Sequence, residues 1–273
     1  MSDAPQLLIV ADKSAPWTDA VMALSAPHRR TLVIAPDTEI KTSAVEVVVG
    51  APPDLAAIIP RCPQLRWVQS TWAGIDAIAH FASETLQITP LKGVFGPAMT
   101  EYVMGWLLAI ERNVISRASH TQWTPSLEPR ITGKRLGVMG TGGIGTAIAL
   151  AAKSFGVEVF GLNSDGRAVD GFTACYPSTD RLAFAERLDY LVSVLPQTAQ
   201  TDNLIGHEVL TRLNPGAIVI NAGRGNAVVE ADLIASLNAG HVRAAVLDVF
   251  REEPLPGDDP LWSTPGAYVT SHT

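Results

Sequence analysis

The chain has 273 residues, 47% of them hydrophobic, and a formal net charge of −7. That length can fill one large core or two ordinary ones, with two domains the better expectation. The acidic balance argues against nucleic acid, which needs a basic stripe, and no apolar run approaches the roughly 18 residues of a membrane helix.

Smaller features narrow the class further. Cys62 and Cys175 have no motif spacing and read as reduced, partly buried thiols of a cytoplasmic protein. The histidines are scattered, so no metal site is expected. The start, MSDAPQLLIVADKSAP, shows no basic n-region and no long apolar run, hence no secretory signal. His28-Arg29-Arg30 and Lys134-Arg135 read as solvated charges rather than a binding patch.

In chain order, the β-rich runs QLLIVAD, RTLVIA, VEVVVGA, LRWVQST and LQITPL come first, with helical stretches WTDAVMALSA, PDLAAIIP and GIDAIAHF between them. Strands apolar on both faces, separated by helices, predict a parallel α/β sheet. A long helix is predicted from Pro97 to about Arg117, with proline suited to its first turn. An extended connector, QWTPSLEPRITGKR, follows it. From Arg135 the alternation resumes through RLGVMG, VEVFGLN, FTACYP, YLVSVLP, AIVINA, RAAVLDVF and AYVTSH. Two α/β units are therefore predicted, 1–96 and 97–273, the long linking helix counted with the second.

The strongest local signal is RLGVMGTGGIGTAIALA, Arg135 to Ala151. Gly140, Gly142 and Gly145 form G-x-G-x-x-G after an apolar strand and before a helix, with Gly143 and Ile144 opening that helix. The first glycine allows a tight turn, the second lets amides approach a pyrophosphate, and the third lets helix and strand pack. In this strand–turn–helix context the pattern predicts dinucleotide binding. The next strand should end in an acidic residue if the cofactor is NAD. Here it ends in Asn163-Ser164-Asp165-Gly166-Arg167. An uncharged Asn163, with Ser164 and a nearby Arg167 for a 2′-phosphate, favours NADP(H) modestly. Asp165 keeps NAD(H) open, and a plain turn is the bland reading.

Three further strand ends carry polar residues: Arg224 in INAGRG, Asp248 and Glu253 in LDVFREEPLP, and His272 in VTSH. Ligands of open α/β sheets bind outside the carboxyl ends of strands, so these point to one edge. With GTGGIG, LPQTAQTDNLI and, more loosely, STWAGID and FGPAMTEYVMGWLLAIER, they appear in the order typical of the D-2-hydroxyacid dehydrogenase family, which this chain resembles. The variant most similar is the short glyoxylate/hydroxypyruvate reductase type.

The resemblance implies a flavodoxin-like substrate domain, a Rossmann-type doubly wound cofactor domain, and hydride transfer between NAD(P)H and a small 2-keto or 2-hydroxy acid. It implies that Arg224 binds the substrate carboxylate, that His272 is the general acid–base, and that Glu253 orients the imidazole and raises its pKa. It places Asp248 near the nicotinamide amide, Leu195, Pro196, Thr201, Ala222 and Gly223 along the cofactor, and the Ala73 and Gly74 backbone on the substrate carboxylate. Trp72 reads equally as a wall of the substrate cleft or as core filler, and Thr198 and Thr201 as cofactor contacts or helix caps. Glu253, alone, would be taken as solvated. A homodimer through the long helix and the Gln122–Arg130 connector is also implied.

Departures are Ser271-His272 where Pro-His is usual and Thr100-Glu101 where Ala-Glu is commoner. The family's chain also continues past the histidine, so the sequence reads as lacking a C-terminal segment and His272 is expected to be loosely held. Alternatives are a cofactor-sensing regulatory protein of the same fold, or a shortened, inactive form.

Overall fold

The computed structural model describes residues 6–12, 15–25, 31–36 and 38–273. His28-Arg29-Arg30 lies outside them. Within them the chain divides into two units, at Val94 and Phe95.

The first unit contains β1 (Leu7–Val10), α1 (Thr18–Ser25), β2 (Thr31–Ile34), β3 (Val47–Gly50), α2 (Pro52–Ile58), β4 (Trp67–Ser70) and β5 (Gln87–Thr89). All strands are parallel, in the order β2-β1-β3-β4-β5, which is the flavodoxin-like winding. Successive side chains of a strand point to opposite faces, so both faces must be apolar here. Leu8, Val10, Val48 and Val68 meet Leu55 and Ile58 on one face. Leu7, Ile9, Val47 and Val49 meet Trp17 and Val21 on the other. GIDAIAHF, expected to be helical, is instead a turn ending in one 3₁₀ turn at Ala79–Phe81. Only Ile78 of that stretch is fully buried, and so short a segment lacks the apolar stripe that would hold a helix.

The second unit opens with α3 (Gly96–Glu111) and the short α4 (Val114–Arg117). The continuous helix expected over 97–117 is interrupted because Asn113 takes a left-handed conformation, φ 54°, which asparagine tolerates better than most residues. Then come β6 (Arg135–Met139), α5 (Gly143–Ser154), β7 (Glu158–Asn163), β8 (Ala174–Pro177), α6 (Arg181–Ala185), β9 (Tyr190–Ser193), α7 (His207–Leu210), β10 (Ala217–Asn221), α8 (Glu230–Asn238), β11 (Val242–Leu247) and β12 (Ala267–Val269). Seven parallel strands lie in the order β12-β11-β10-β9-β6-β7-β8. The chain runs outward from β6 to β8, then returns to β9 on the other side. The crevice between β6 and β9 is thus the switch point where such sheets bind ligands. Val103, Leu107 and Ile110 of α3 share a core with Leu136, Val138, Ile148 and Ile220, which seats the helix on this sheet.

Candidate active site

The glycine loop joins β6 to α5. Gly140 has φ 101°, a left-handed turn that glycine adopts without a Cβ penalty. A Cβ on Gly145 would sit 1.9 Å from the Gly140 carbonyl oxygen, so the helix can lie this close to the loop only with glycine there. Gly142 and Gly143 are different: a Cβ on either would meet nothing within 4 Å. Their smallness therefore leaves open space over the loop rather than relieving an internal clash. The N-cap of α5 is Gly142, without a side-chain cap, so its first-turn amides suit an anionic group. Ile144 is half-buried beside them. At the same edge the buried Ser193 Oγ and Asn226 Oδ1 have no hydrogen-bond partner among the described residues. The loop fits a dinucleotide's pyrophosphate.

At the end of β7 the side chain of Asn163 is committed to the protein. Its amide nitrogen donates to Thr141 Oγ1 at 3.1 Å and to the Arg167 carbonyl at 2.9 Å, while its oxygen accepts from the Gly166 amide at 2.7 Å. The turn reading describes this residue better than a free ribose contact does. Ser164, Asp165 and Arg167 are exposed. Arg167 donates to the Asp165 carboxylate at 2.8 Å. Partial desolvation would raise the Asp165 pKa, but its hydrogen bonds and the Arg167 charge outweigh that and hold it below the usual range.

Next to the crevice, Leu195 is buried and Pro196 exposed after β9. The Thr201 hydroxyl donates to the Pro196 carbonyl at 2.7 Å and accepts from the Thr198 amide at 2.9 Å, bracing this loop internally. After β10, Ala222 is half-buried and Gly223 buried. Asn221 reaches forward: its amide donates to the Arg224 carbonyl at 3.0 Å and its oxygen accepts from Gly223 N at 3.3 Å. Arg224 is half-buried, its guanidinium donating to the Gly223 carbonyl at 2.8 Å. A Cβ on Gly225 would lie 1.9 Å from the Phe250 carbonyl carbon, so glycine lets the Arg224 loop lie directly on the loop after β11. Arg251, two residues before Glu253 in the same loop and without a motif role in the sequence, donates to Asn203 Oδ1 at 2.5 Å and to the Asn226 carbonyl at 2.8 Å. It thereby ties the loops after β9, β10 and β11 together.

His272 and Glu253 come together from β12 and β11. Imidazole Nδ1 lies 2.7 Å from Glu253 Oε2, and the other Glu253 oxygen accepts from the Phe250 amide at 2.9 Å. A carboxylate only accepts, so Nδ1 carries the proton and Nε2 is left for a ligand. His272 has φ 53°, a left-handed backbone that persists only where its surroundings enforce it. The enforcement is visible. His272 N donates to the Asp248 carbonyl at 2.9 Å, and the buried Asp248 carboxylate accepts from Thr270 Oγ1 at 2.5 Å and from the Thr273 amide at 3.1 Å. Asp248, expected beside a nicotinamide, thus spends its carboxylate on both flanks of the histidine. The pair faces a cavity of about 440 Å³ walled by Phe250, Leu255, Trp262 and Val269. Trp72, Ala73 and Gly74 belong to the first unit, on the loop after β4, where Trp72 is exposed and its backbone is held by Ser70 Oγ and the Leu91 amide.

The family model for the D-isomer specific 2-hydroxyacid dehydrogenase NAD binding domain matches residues 104–273. A glyoxylate/hydroxypyruvate reductase A from Yersinia enterocolitica is 36% identical over 178 residues, which take in 64% of this chain and 56% of that protein. Among solved structures, a D-isomer specific 2-hydroxyacid dehydrogenase family protein from Aeromonas salmonicida superposes with a TM-score of 0.86 and 34% identity, over 98% of this chain and 88% of that one. The NADPH-dependent glyoxylate/hydroxypyruvate reductase of Sinorhizobium meliloti, solved with NADP and sulfate, gives 0.84 and 28% over the same shares.

Proposed function

The chain belongs to the D-isomer specific 2-hydroxyacid dehydrogenase family, and from that premise we propose that it is a cytoplasmic, dimeric reductase of small 2-keto acids, glyoxylate and hydroxypyruvate foremost, preferring NADP(H) to NAD(H). The observation that carries the reading is the 2.7 Å pair of His272 and Glu253. The loop of Gly140, Gly142 and Gly145 would hold the dinucleotide, which when bound would supply a hydride to the carbonyl carbon. Arg224 holds the substrate carboxylate with its planar fork and draws charge toward the keto oxygen. In its doubly protonated imidazolium form His272 delivers the Nε2 proton to the oxygen as negative charge develops there. It keeps the Nδ1 proton on Glu253, which holds the ring turned and balances its charge. In the opposite direction Nε2 takes the hydroxyl proton. Asp248 would face the nicotinamide end of a bound cofactor, and it also fixes the histidine.

NADP(H) is favoured by the exposed Ser164 and Arg167 and by the NADP and NADPH bound in a similar reductase and a similar 2-hydroxyacid dehydrogenase. A 2′-phosphate at Arg167 has to displace Asp165 from it. Dimerisation is supported by Trp123 and Leu127, which are 95% and 102% exposed in the connector, an apolar pair a solvated monomer has no use for. The free thiols Cys62 and Cys175 agree with a reducing compartment, and no helix among the described residues is long and apolar enough to cross a membrane.

The test is oxidation of NADPH and NADH with glyoxylate, hydroxypyruvate and pyruvate. Turnover is expected with NADPH above NADH, and His272→Ala is expected to lower kcat by about 10²–10⁴ with little change in NADPH affinity. Binding of NADPH without turnover on any keto acid would leave a cofactor-sensing protein instead.

A further inference from the structure

Helix α3 and strand β12 meet in matched steps. Trp106 packs on Tyr268 with ring centroids 5.3 Å apart, and Tyr102 stacks edge-on against Trp106 at 6.5 Å. One helical turn back and two strand residues on, the Tyr102 hydroxyl lies 2.7 Å from Thr270 Oγ1. Four helix residues rise about 6 Å and two strand residues about 6.6 Å, so the two contacts share one register.

The direction of the hydrogen bonds follows from chemistry. The Asp248 carboxylate can only accept, so the Thr270 hydroxyl spends its one proton on it, at 2.5 Å. Thr270 Oγ1 is then an acceptor toward Tyr102, whose hydroxyl must donate. The chain runs one way: Tyr102 to Thr270 to Asp248. Desolvation pushes the Tyr102 phenol up to about 12, which keeps its proton in place. Asp248 also receives the Thr273 amide and, through its carbonyl, the His272 amide, so whatever fixes Thr270 fixes the left-handed turn at His272. Glu253 meets the imidazole, Asp248 lies beneath the turn and Tyr102 stands behind Thr270.

We propose that Tyr102 is a positioning residue for His272, its hydroxyl completing a relay through Thr270 and Asp248 that aims the imidazole. This rests on the acid–base role given to His272 above. Both residues fall inside stretches that carry the family resemblance, Tyr102 in FGPAMTEYVMGWLLAIER and Thr270 in VTSH, but the sequence alone gives neither a role: one reads as part of a helix face, the other as the end of a strand.

The test uses the full chain with Tyr102→Phe, Thr270→Val and Thr270→Ser. With glyoxylate and NADPH, kcat is expected to fall roughly tenfold in the first two, because a misaimed proton donor costs rate. KM for NADPH should hold within about twofold, which separates misaiming from loss of cofactor binding. Thr270→Ser keeps the hydroxyl and is expected to restore kcat. Independently of turnover, the Nδ1 proton of His272 is followed by NMR as a downfield signal, assigned by its loss in His272→Ala. It is expected to be sharp in the parent and in Thr270→Ser, and broadened away in Tyr102→Phe and Thr270→Val. Thr270→Val breaks the relay from the strand side, so the result does not hang on one variant folding. A parent-like signal in either folded variant overturns the proposal. A parent chain that turns over no keto acid overturns the proposed activity instead, and the NMR signal still decides the positioning.

Discussion

Two parallel sheets in this chain finish their strands differently. In the second unit Thr141, Asn163, Ser193, Asn221 and Asp248 stand at or just past the ends of β6, β7, β9, β10 and β11, all at least nine-tenths buried. Among the described residues of the first unit, the buried polar residue at a strand end is Ser70, the last of β4, while β1 and β3 end in Val10 and Gly50. Burying a polar group costs free energy unless it finds a partner. A row of them along one edge is therefore expensive unless it holds something in place. Asn163 holds the turn beyond β7 and the glycine-loop threonine, Asn221 holds Arg224, and Asp248 holds His272. The row marks the working edge better than any single motif does.

The harshest way to break this contrast is Gly225→Ala. The added Cβ would fall 1.9 Å from the Phe250 carbonyl carbon, and backbone there cannot swing aside as a side chain could. The loops carrying Arg224 and Glu253 must part. Urea unfolding is expected to show a loss of about 1–3 kcal/mol, and kcat/KM with glyoxylate a loss of about 10²-fold, as for reacting groups misplaced by about 1 Å. Stability and rate both within error of the parent would show that the two loops are not a unit.

A milder comparison sets Asn221→Ala against Ser70→Ala. Each removes a buried side chain that braces the loop following its strand. Each is expected to cost about 1–3 kcal/mol, the usual result of stranding buried partners. Their kinetic effects should diverge. Asn221→Ala frees the Arg224 carbonyl and is expected to raise KM for the keto acid about tenfold, whereas Ser70→Ala should move it no more than about threefold. Equal shifts would mean that the two sheet edges share the binding work.

Much of this edge was legible in the sequence because the constraint is local. Glycine spacing after an apolar strand reports a turn and a close approach, and the Arg224, Glu253 and His272 stretches follow strand patterns that place them at the same ends. The bracing was not legible. Asn163 looked like a vacancy for an acidic residue, yet its amide is satisfied by Thr141, Gly166 and Arg167, groups whose convergence only the folded turn defines. Arg251 and Tyr102 act across 25 and 168 residues of chain, and no periodicity reports such a pairing. The break at Asn113 and the missing helix at GIDAIAHF are smaller failures of the same kind. A local propensity is read correctly there, but a left-handed Asn113 ends the helix in one case and the lack of a buried stripe prevents it in the other.

The smallest expected effect concerns the two thiols, and it probes how firmly the first sheet is sealed. Cys62 lies in the apolar core with Leu55 and Ile58, 5% exposed, whereas Cys175 on β8 is half-buried at the outer edge of the second sheet. Burial pushes the Cys62 thiol from its ordinary 9.0 up to about 11, the nearby Arg61 charge offsetting only part of that. Only a thiolate is alkylated, so at pH 8 Cys62 has roughly a thousandth of its population in reactive form and no path to reagent. Iodoacetamide is expected to label one thiol per chain quickly, mapped to Cys175 by peptide mass, and Cys62 only on addition of urea. Because the folded pKa lies above the ordinary one, the stability contributed by the neutral thiol is full below about 9 and is lost as pH rises toward 11. Cys62→Ala should accordingly flatten the alkaline decline in stability over that window. Rapid labelling of Cys62 at pH 8 would mean that the first unit opens locally far more often than its dry, two-faced core allows, and the contrast between a sealed sheet and a polar working edge would fail on the sealed side.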